Sequence, residues 1–172
     1  MESVPDLIRM RRDYDDGSFS EEGLAPTWVE QFDRWFADAV AAELPEPNAV
    51  VVATADADGA PDARIVLVKG YDEAGFVFAT SYASAKGAQL AVNPRAALVF
   101  PWHALQRQVR VTGPCVEVDR GETDAYFASR PADSRRGAWA SHQSAPIDSR
   151  AALEARMGEA QERFPDDADI PT

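Results

Sequence analysis

Residues 64–69, Arg-Ile-Val-Leu-Val-Lys, form a β-branched run that is apolar at odd and even positions alike. Strand side chains alternate between the two faces of a sheet, so a strand built on this run turns apolar surface to both sides. A sheet with one solvated face does not tolerate that, and both sides must be covered. A small barrel covers one face with its own interior and leaves the other to helices or to a second subunit.

The neighbouring sequence agrees with a sheet of short strands. Segments rich in β-branched residues at 49–55, 63–71, 76–80, 96–101 and 108–118 read as strands. Asp58-Gly59 and Asp72-Glu73-Ala74-Gly75 supply turn chemistry, so the first three strands are expected to form an antiparallel meander. A helix is predicted over 28–43, where Thr27 and Glu30 form a capping box and Trp28, Phe32, Trp35, Phe36, Ala39 and Val40 make one apolar stripe. Its aromatic face reads as core. Further helices are predicted over 84–92, ended by Asn93-Pro94, and over 122–129 and 149–164. The sum is an α+β chain with a largely antiparallel sheet. Residues 1–25, charged and carrying Arg9, Arg11 and Arg12 close together, read as a partly mobile arm, and 26–172 as one folded domain.

Several function classes lose support at this point. With 29 acidic against 17 basic residues the net charge is -12, and a nucleic acid partner would need clustered cations. The apolar runs are too short to span a bilayer, the first residues lack a secretory-type apolar stretch, and Cys115 stands alone, so a cytoplasmic setting is expected. There is no GxGxxG, P-loop, HExxH or Cys/His cluster, and no metal is expected. Cys115 in a β-rich segment reads as a small buried hydrophobe rather than a catalytic thiol.

Four constellations could carry chemistry, each with a plainer alternative. Arg64 and Lys69 bracket the apolar run; they are either solvated strand ends or, near a strand end or a junction between chains, two cations of one pocket. The stretch from Thr80 through Ser84 and Ala85 to Lys86 ends a strand and opens a helix, gathering hydroxyls, amides and an ammonium where an anion is stabilised, or else it is an ordinary Ser84 cap with a surface lysine. Tyr126 and Arg130 lie four apart, with Pro131 stopping the helix before Ser134; they offer a phosphate grip or a surface contact. Gln106, Gln108 and Arg110 alternate with Val109 and Val111, and 137–144 is a Gly/Ser-containing segment whose amides could read a polar heterocycle or belong to an ordinary loop.

Taken in order, Arg64 to Lys69, Ser84-Ala85-Lys86, Phe100-Pro101-Trp102-His103, Arg107-Gln108-Val109, Tyr126 to Pro131 and Gly137-Ala138-Trp139 through Gln143-Ser144 resemble the pyridoxamine 5′-phosphate oxidase family. The resemblance implies a split β-barrel of Greek-key type with flanking helices, dimeric, with FMN at the interface. It implies oxidation of pyridoxamine or pyridoxine 5′-phosphate to pyridoxal 5′-phosphate, with oxygen reduced to hydrogen peroxide. By matching position, Arg64, Ile65, Val66, Leu67, Val68 and Lys69 would line the cofactor, with Ala79, Thr80, Ala85, Lys86, Gln108, Gln143 and Ser144. Lys69, Tyr126, Arg130 and Ser134 would hold the substrate, and Arg11 and Tyr14 resemble a segment that closes over it. No side chain is assigned as nucleophile or base, because the chemistry would be the flavin's. Where the family often carries Tyr and Arg this chain has Ala79 and Ala85, so those contacts are expected from backbone. The family usually continues beyond Thr172 through a final strand pair with an Arg-x-His motif, so the last barrel strands are expected to be missing. A non-catalytic FMN or pyridoxal 5′-phosphate module and a related split-barrel flavin reductase are the alternatives.

Overall fold

The computed structural model describes residues 9, 20–167 and 170–172. Thr27 accepts a hydrogen bond from the Glu30 amide at 3.2 Å and starts helix α1, Trp28–Ala41. Strands β1, Ala49–Ala55, β2, Pro61–Asp72, and β3, Gly75–Phe78, follow. After helix α2, Ala85–Val92, come β4, Arg95–Trp102, and β5, Arg107–Pro114. Helices α3, Arg120–Ser129, α4, Ala132–Ala140, and α5, Arg150–Arg163, complete the order.

The sheet runs β3-β2-β1-β4-β5 and every neighbouring pair is antiparallel. The expected meander of β1, β2 and β3 is present, and β4 returns to lie beside β1, which is Greek-key order. Along β1, Val50, Val52 and Thr54 face inward in strict alternation, and β4 contributes Leu98, Phe100 and Trp102 to the same layer. α1 closes this layer. Phe32 inserts with its ring centroid 4.6 Å from Tyr71, 4.9 Å from Phe76 and 5.0 Å from Phe100, all edge-on, the arrangement that ring quadrupoles favour. The Tyr71 hydroxyl donates to Asp33 on α1, and burial followed by that carboxylate pushes its pKa up to about 12.

Three expectations change. Trp28 and Val40 lie at the margins of the helical stripe and stay about half exposed. Residues 132–140, where no helix is predicted, are helical: Pro131 occupies the N-cap, where its missing N–H costs nothing, and Arg136 is buried. Arg136 donates to the carbonyls of Phe164 at 3.0 Å and Pro165 at 3.2 Å and to Asp167 at 2.7 Å, tying α4 to the end of α5. Finally, Ile65 on β2 is 70% exposed, so within one chain only one face of the apolar run is covered.

Truncating Phe32→Ala empties the centre of this layer and should cost about 3–5 kcal/mol. The urea midpoint should fall by about 1–2 M with an unchanged slope; a shift within error would place the core elsewhere.

Candidate functional site

The backbone that shapes the site is unusual at two points. β2 pairs Val68 with Phe78 and Gly70 with Val77, which leaves Lys69 as the extra residue of a bulge. A bulge re-aims the side chain it carries, and Arg64 and Lys69, which a regular strand would put on opposite faces, line one cavity. At the start of α2, a Cβ on Gly87 would lie 2.3 Å from the Tyr82 carbonyl oxygen. Only a glycine lets the loop at 81–82 fold this closely against the helix. The Ser84 hydroxyl caps α2 by accepting from the Gly87 amide at 3.3 Å.

The cavity encloses about 550 Å³ and is lined by Arg64, Ile65, Val66, Leu67, Lys69, Ala79, Thr80, Ala85, Lys86, Gln143 and Ser144, with Asp62 at its side. That volume suits a small-molecule ligand. Eleven of the sequence-derived cofactor positions thus converge, drawn from β2, the end of β3, α2 and the segment after α4. Val68 does not: its side chain is in the core, and its N–H and C=O are taken by the Asn48 carbonyl and side-chain amide, at 2.9 and 3.0 Å. Gln108 does not either. It lies on β5, three strands from β2 in the sheet order, or about 14 Å at 4.8 Å per strand.

The electrostatics are those of a site prepared for an anion. Lys86 is 5% exposed, and its ammonium donates to Thr80 Oγ1 at 3.2 Å, Gln143 Oε1 at 3.3 Å and Ser84 Oγ at 3.5 Å. All three are neutral oxygens. Burial lowers the Lys86 pKa, Arg64 lowers it further by repulsion, and Asp62 partly opposes them. Arg64 is held by Thr54 Oγ1 at 2.7 Å, by Gln89 Oε1 at 3.0 Å and by an ion pair with Asp62. Thr54, Gln89 and Asp62 were not anticipated from the sequence. The signal was there for Thr54, a hydroxyl in the same inward row as Val50 and Val52.

The second cluster is more open. Lys69 Nζ sits 5.7 Å from the centroid of the Tyr126 ring, within cation–π range. Arg130 has left the helix and caps α3; it lies over Phe127 at 5.5 Å and donates to the Ser134 backbone carbonyl at 3.1 Å. Lys69 thus joins the cavity to α3. Arg11 and Tyr14 lie outside the described residues. Burial pushes the Cys115 thiol up, which keeps it protonated and poorly nucleophilic near neutral pH. Among the described residues no group of His, Cys, Asp and Glu could hold a metal, and no helix is long and apolar enough to cross a membrane.

Comparison with known proteins gives these features a context. The family model described as pyridoxamine 5′-phosphate oxidase matches residues 36–164. A pyridoxine/pyridoxamine 5′-phosphate oxidase of Burkholderia cenocepacia is 55% identical over 165 residues, covering 96% of this chain and 77% of the relative. One from Frankia alni is 54% identical over 170 residues, covering 98% and 70%. Among solved structures, PhzG from Burkholderia lata, in complex with tetrahydrophenazine-1-carboxylic acid, aligns with a TM-score of 0.80 at 29% identity, over 86% of this chain and 74% of that one. A pyridoxamine 5′-phosphate oxidase-related, FMN-binding protein of Nostoc punctiforme aligns at 0.58 and 22% identity, over 76% and 72%, a likeness of fold.

A lysine whose folded pKa is lowered costs stability while it stays charged. The cost is full below that lowered value and fades as pH rises toward the ordinary value of 10.5. Lys86→Met should therefore melt no lower than the parent in phosphate-free buffer. Inorganic phosphate should raise the melting temperature of the parent by several degrees at about 100 times its Kd, and leave Lys86→Met unmoved. A large loss of stability in Lys86→Met without phosphate would make Lys86 a structural residue.

Proposed function

The chain belongs to the pyridoxamine 5′-phosphate oxidase family, and from that premise we propose that it binds FMN in the cavity beside β2 and oxidises pyridoxamine or pyridoxine 5′-phosphate to pyridoxal 5′-phosphate, passing the electrons to oxygen to give hydrogen peroxide. The observation that carries this reading is the buried Lys86 ammonium, beside Arg64, whose hydrogen-bond partners are all neutral. A buried charge without an ionic partner is costly, and a phosphate dianion compensates it. The residues present therefore fit the phosphate end of FMN: Arg64 and Lys86 supply charge, Thr80 and Ser144 hydroxyls, and Gln143 an amide. Ala79 and Ala85 leave room rather than adding contacts, and Ile65, Val66 and Leu67 offer apolar and backbone surface to a ring.

When bound, the flavin supplies the hydride-accepting ring. The chain's own residues bind and orient. Arg130, with Tyr126 and Ser134, would grip the substrate phosphate, the end that does not react, so that binding energy there positions the reacting carbon. Lys69, between the cavity and Tyr126, would touch both ligands. Arg11 and Tyr14 would close over the substrate. No group of the chain is required as a nucleophile.

The split-barrel homodimer is part of the same proposal. It is supported by the 70% exposure of Ile65, in the apolar run of β2, and by the placement of Gln108, which only a second copy would bring to this cavity. A second reading has one observation in its favour, the TM-score of 0.80 to a protein solved with a tricyclic carboxylic acid. In that case the cluster of Lys69, Tyr126 and Arg130 beside the cavity would receive a carboxylated ring instead of a phosphorylated pyridine.

Purified protein supplied with FMN should show flavin absorbance and release peroxide on addition of pyridoxine 5′-phosphate. Peroxide with the tricyclic acid alone would exchange the first reading for the second, and bound flavin with no peroxide from either would remove the oxidase activity. Arg130→Ala should raise KM for the phosphorylated substrate about 10- to 100-fold with a smaller change in kcat, the size of one or two charge-assisted hydrogen bonds. Ile65→Glu should convert a dimer to monomer in sedimentation equilibrium and release the flavin; a parent that sediments as a monomer would end the dimer proposal.

A further inference from the structure

Thr54 is 3% exposed, yet it occupies the inward row of β1 behind Val50 and Val52. A hydroxyl there needs partners, and it has two. It accepts from Arg64 Nη1 at 2.7 Å and donates to Gln89 Oε1. Gln89 Oε1 also accepts from Arg64 Nη2 at 3.0 Å, so threonine, glutamine and guanidinium close a three-membered ring of hydrogen bonds between β1, β2 and α2. The Val52 carbonyl, 3.4 Å from Nη1, adds a fourth contact to the same side of the guanidinium.

The ring has a consequence for the charges. α2 also carries Lys86, and Arg64 acts on Lys86 by repulsion. Two like charges with free side chains would separate into water. Here one is fixed to the sheet, the other to the first turn of the helix, and Gln89, one turn further along α2, pins that helix to the Arg64 head group. The Nη2 nitrogen that donates to Gln89 also pairs with Asp62, a side chain that is half exposed and borne near the start of β2. The contacts to Thr54, Gln89 and the Val52 carbonyl lie within the fold, whereas Asp62 reaches solvent.

We propose that Thr54 and Gln89 are positioning residues that hold the Arg64 guanidinium and α2 in one fixed arrangement, so that the grip on the FMN phosphate exists before FMN arrives; this rests on the reading of the cavity as a flavin-phosphate site. Neither residue lines the cavity, and both act through Arg64. Preorganised donors lose less freedom on binding than mobile ones, and the gain falls on the phosphate alone.

FMN and riboflavin differ by that phosphate, so the ratio of their affinities isolates the grip. Titrating both, by quenching of flavin fluorescence, into the full chain and its Thr54→Val, Thr54→Ser and Gln89→Leu variants tests the proposal. Thr54→Val should weaken FMN about five- to tenfold, the worth of one or two net hydrogen bonds, and leave riboflavin unchanged. Thr54→Ser should restore FMN binding, because it keeps the hydroxyl. Gln89→Leu, at a partly buried position on α2, should repeat the selective loss even where Thr54→Val folds poorly. Equal losses for both flavins, or an unaltered ratio in Gln89→Leu, would overturn the positioning role. A parent chain that binds FMN no better than riboflavin would remove the flavin-phosphate reading itself, and the positioning role with it.

Discussion

A buried ammonium whose hydrogen-bond partners are all neutral oxygens is the constraint on which the rest of this structure turns. Lys86 is affordable only because the surrounding fold is over-determined: Ser84 both caps α2 and faces the ammonium, Thr80 ends the approach from β3, and Gln143 arrives from beyond α4. Each of these oxygens offsets part of the desolvation without neutralising the charge. The remaining imbalance is one that an incoming anion would relieve.

Rigidity elsewhere makes the arrangement possible. The aromatic layer around Phe32 fixes α1 against β2, β3 and β4, and thereby fixes the strand that carries Arg64 and Lys69. At the other end, the buried Arg136 fastens α4 to the chain following α5, and Trp139 donates to the Pro171 carbonyl at 2.9 Å. Residues 143 and 144 therefore come off an anchored helix rather than off a free loop. The cavity is the place where two separately braced parts of the chain meet.

The relatives named as pyridoxine/pyridoxamine 5′-phosphate oxidases share more than half of their aligned residues with this chain, and the site residues fall within the aligned stretch. Two alanines, Ala79 and Ala85, line a cavity whose cationic side chains are Arg64, Lys69 and Lys86, and a carboxylate, Asp62, stands beside them. Few charges share the task, so the placement of each one matters more.

Much of this was written in the order of residues. The capping pair Thr27 and Glu30, the turn at Asp58-Gly59, the alternation of β1 and the Ser84 cap are local features, and local rules located their elements to within a few residues. Most of the residues that line the cavity were named by the resemblance of the motif series from Arg64 to Ser144 to a known family, since residue type and spacing alone left plainer readings open. Tertiary structure decided the rest. The bulge at Lys69 depends on pairing with β3, the helix at 132–140 on a buried arginine that reaches Phe164, Pro165 and Asp167, and the Thr54–Gln89–Arg64 ring on three elements that share no sequence signal. Sequence patterns report on neighbours along the chain; whether a hydroxyl in an apolar row is a defect or a support is settled only by what the fold packs against it.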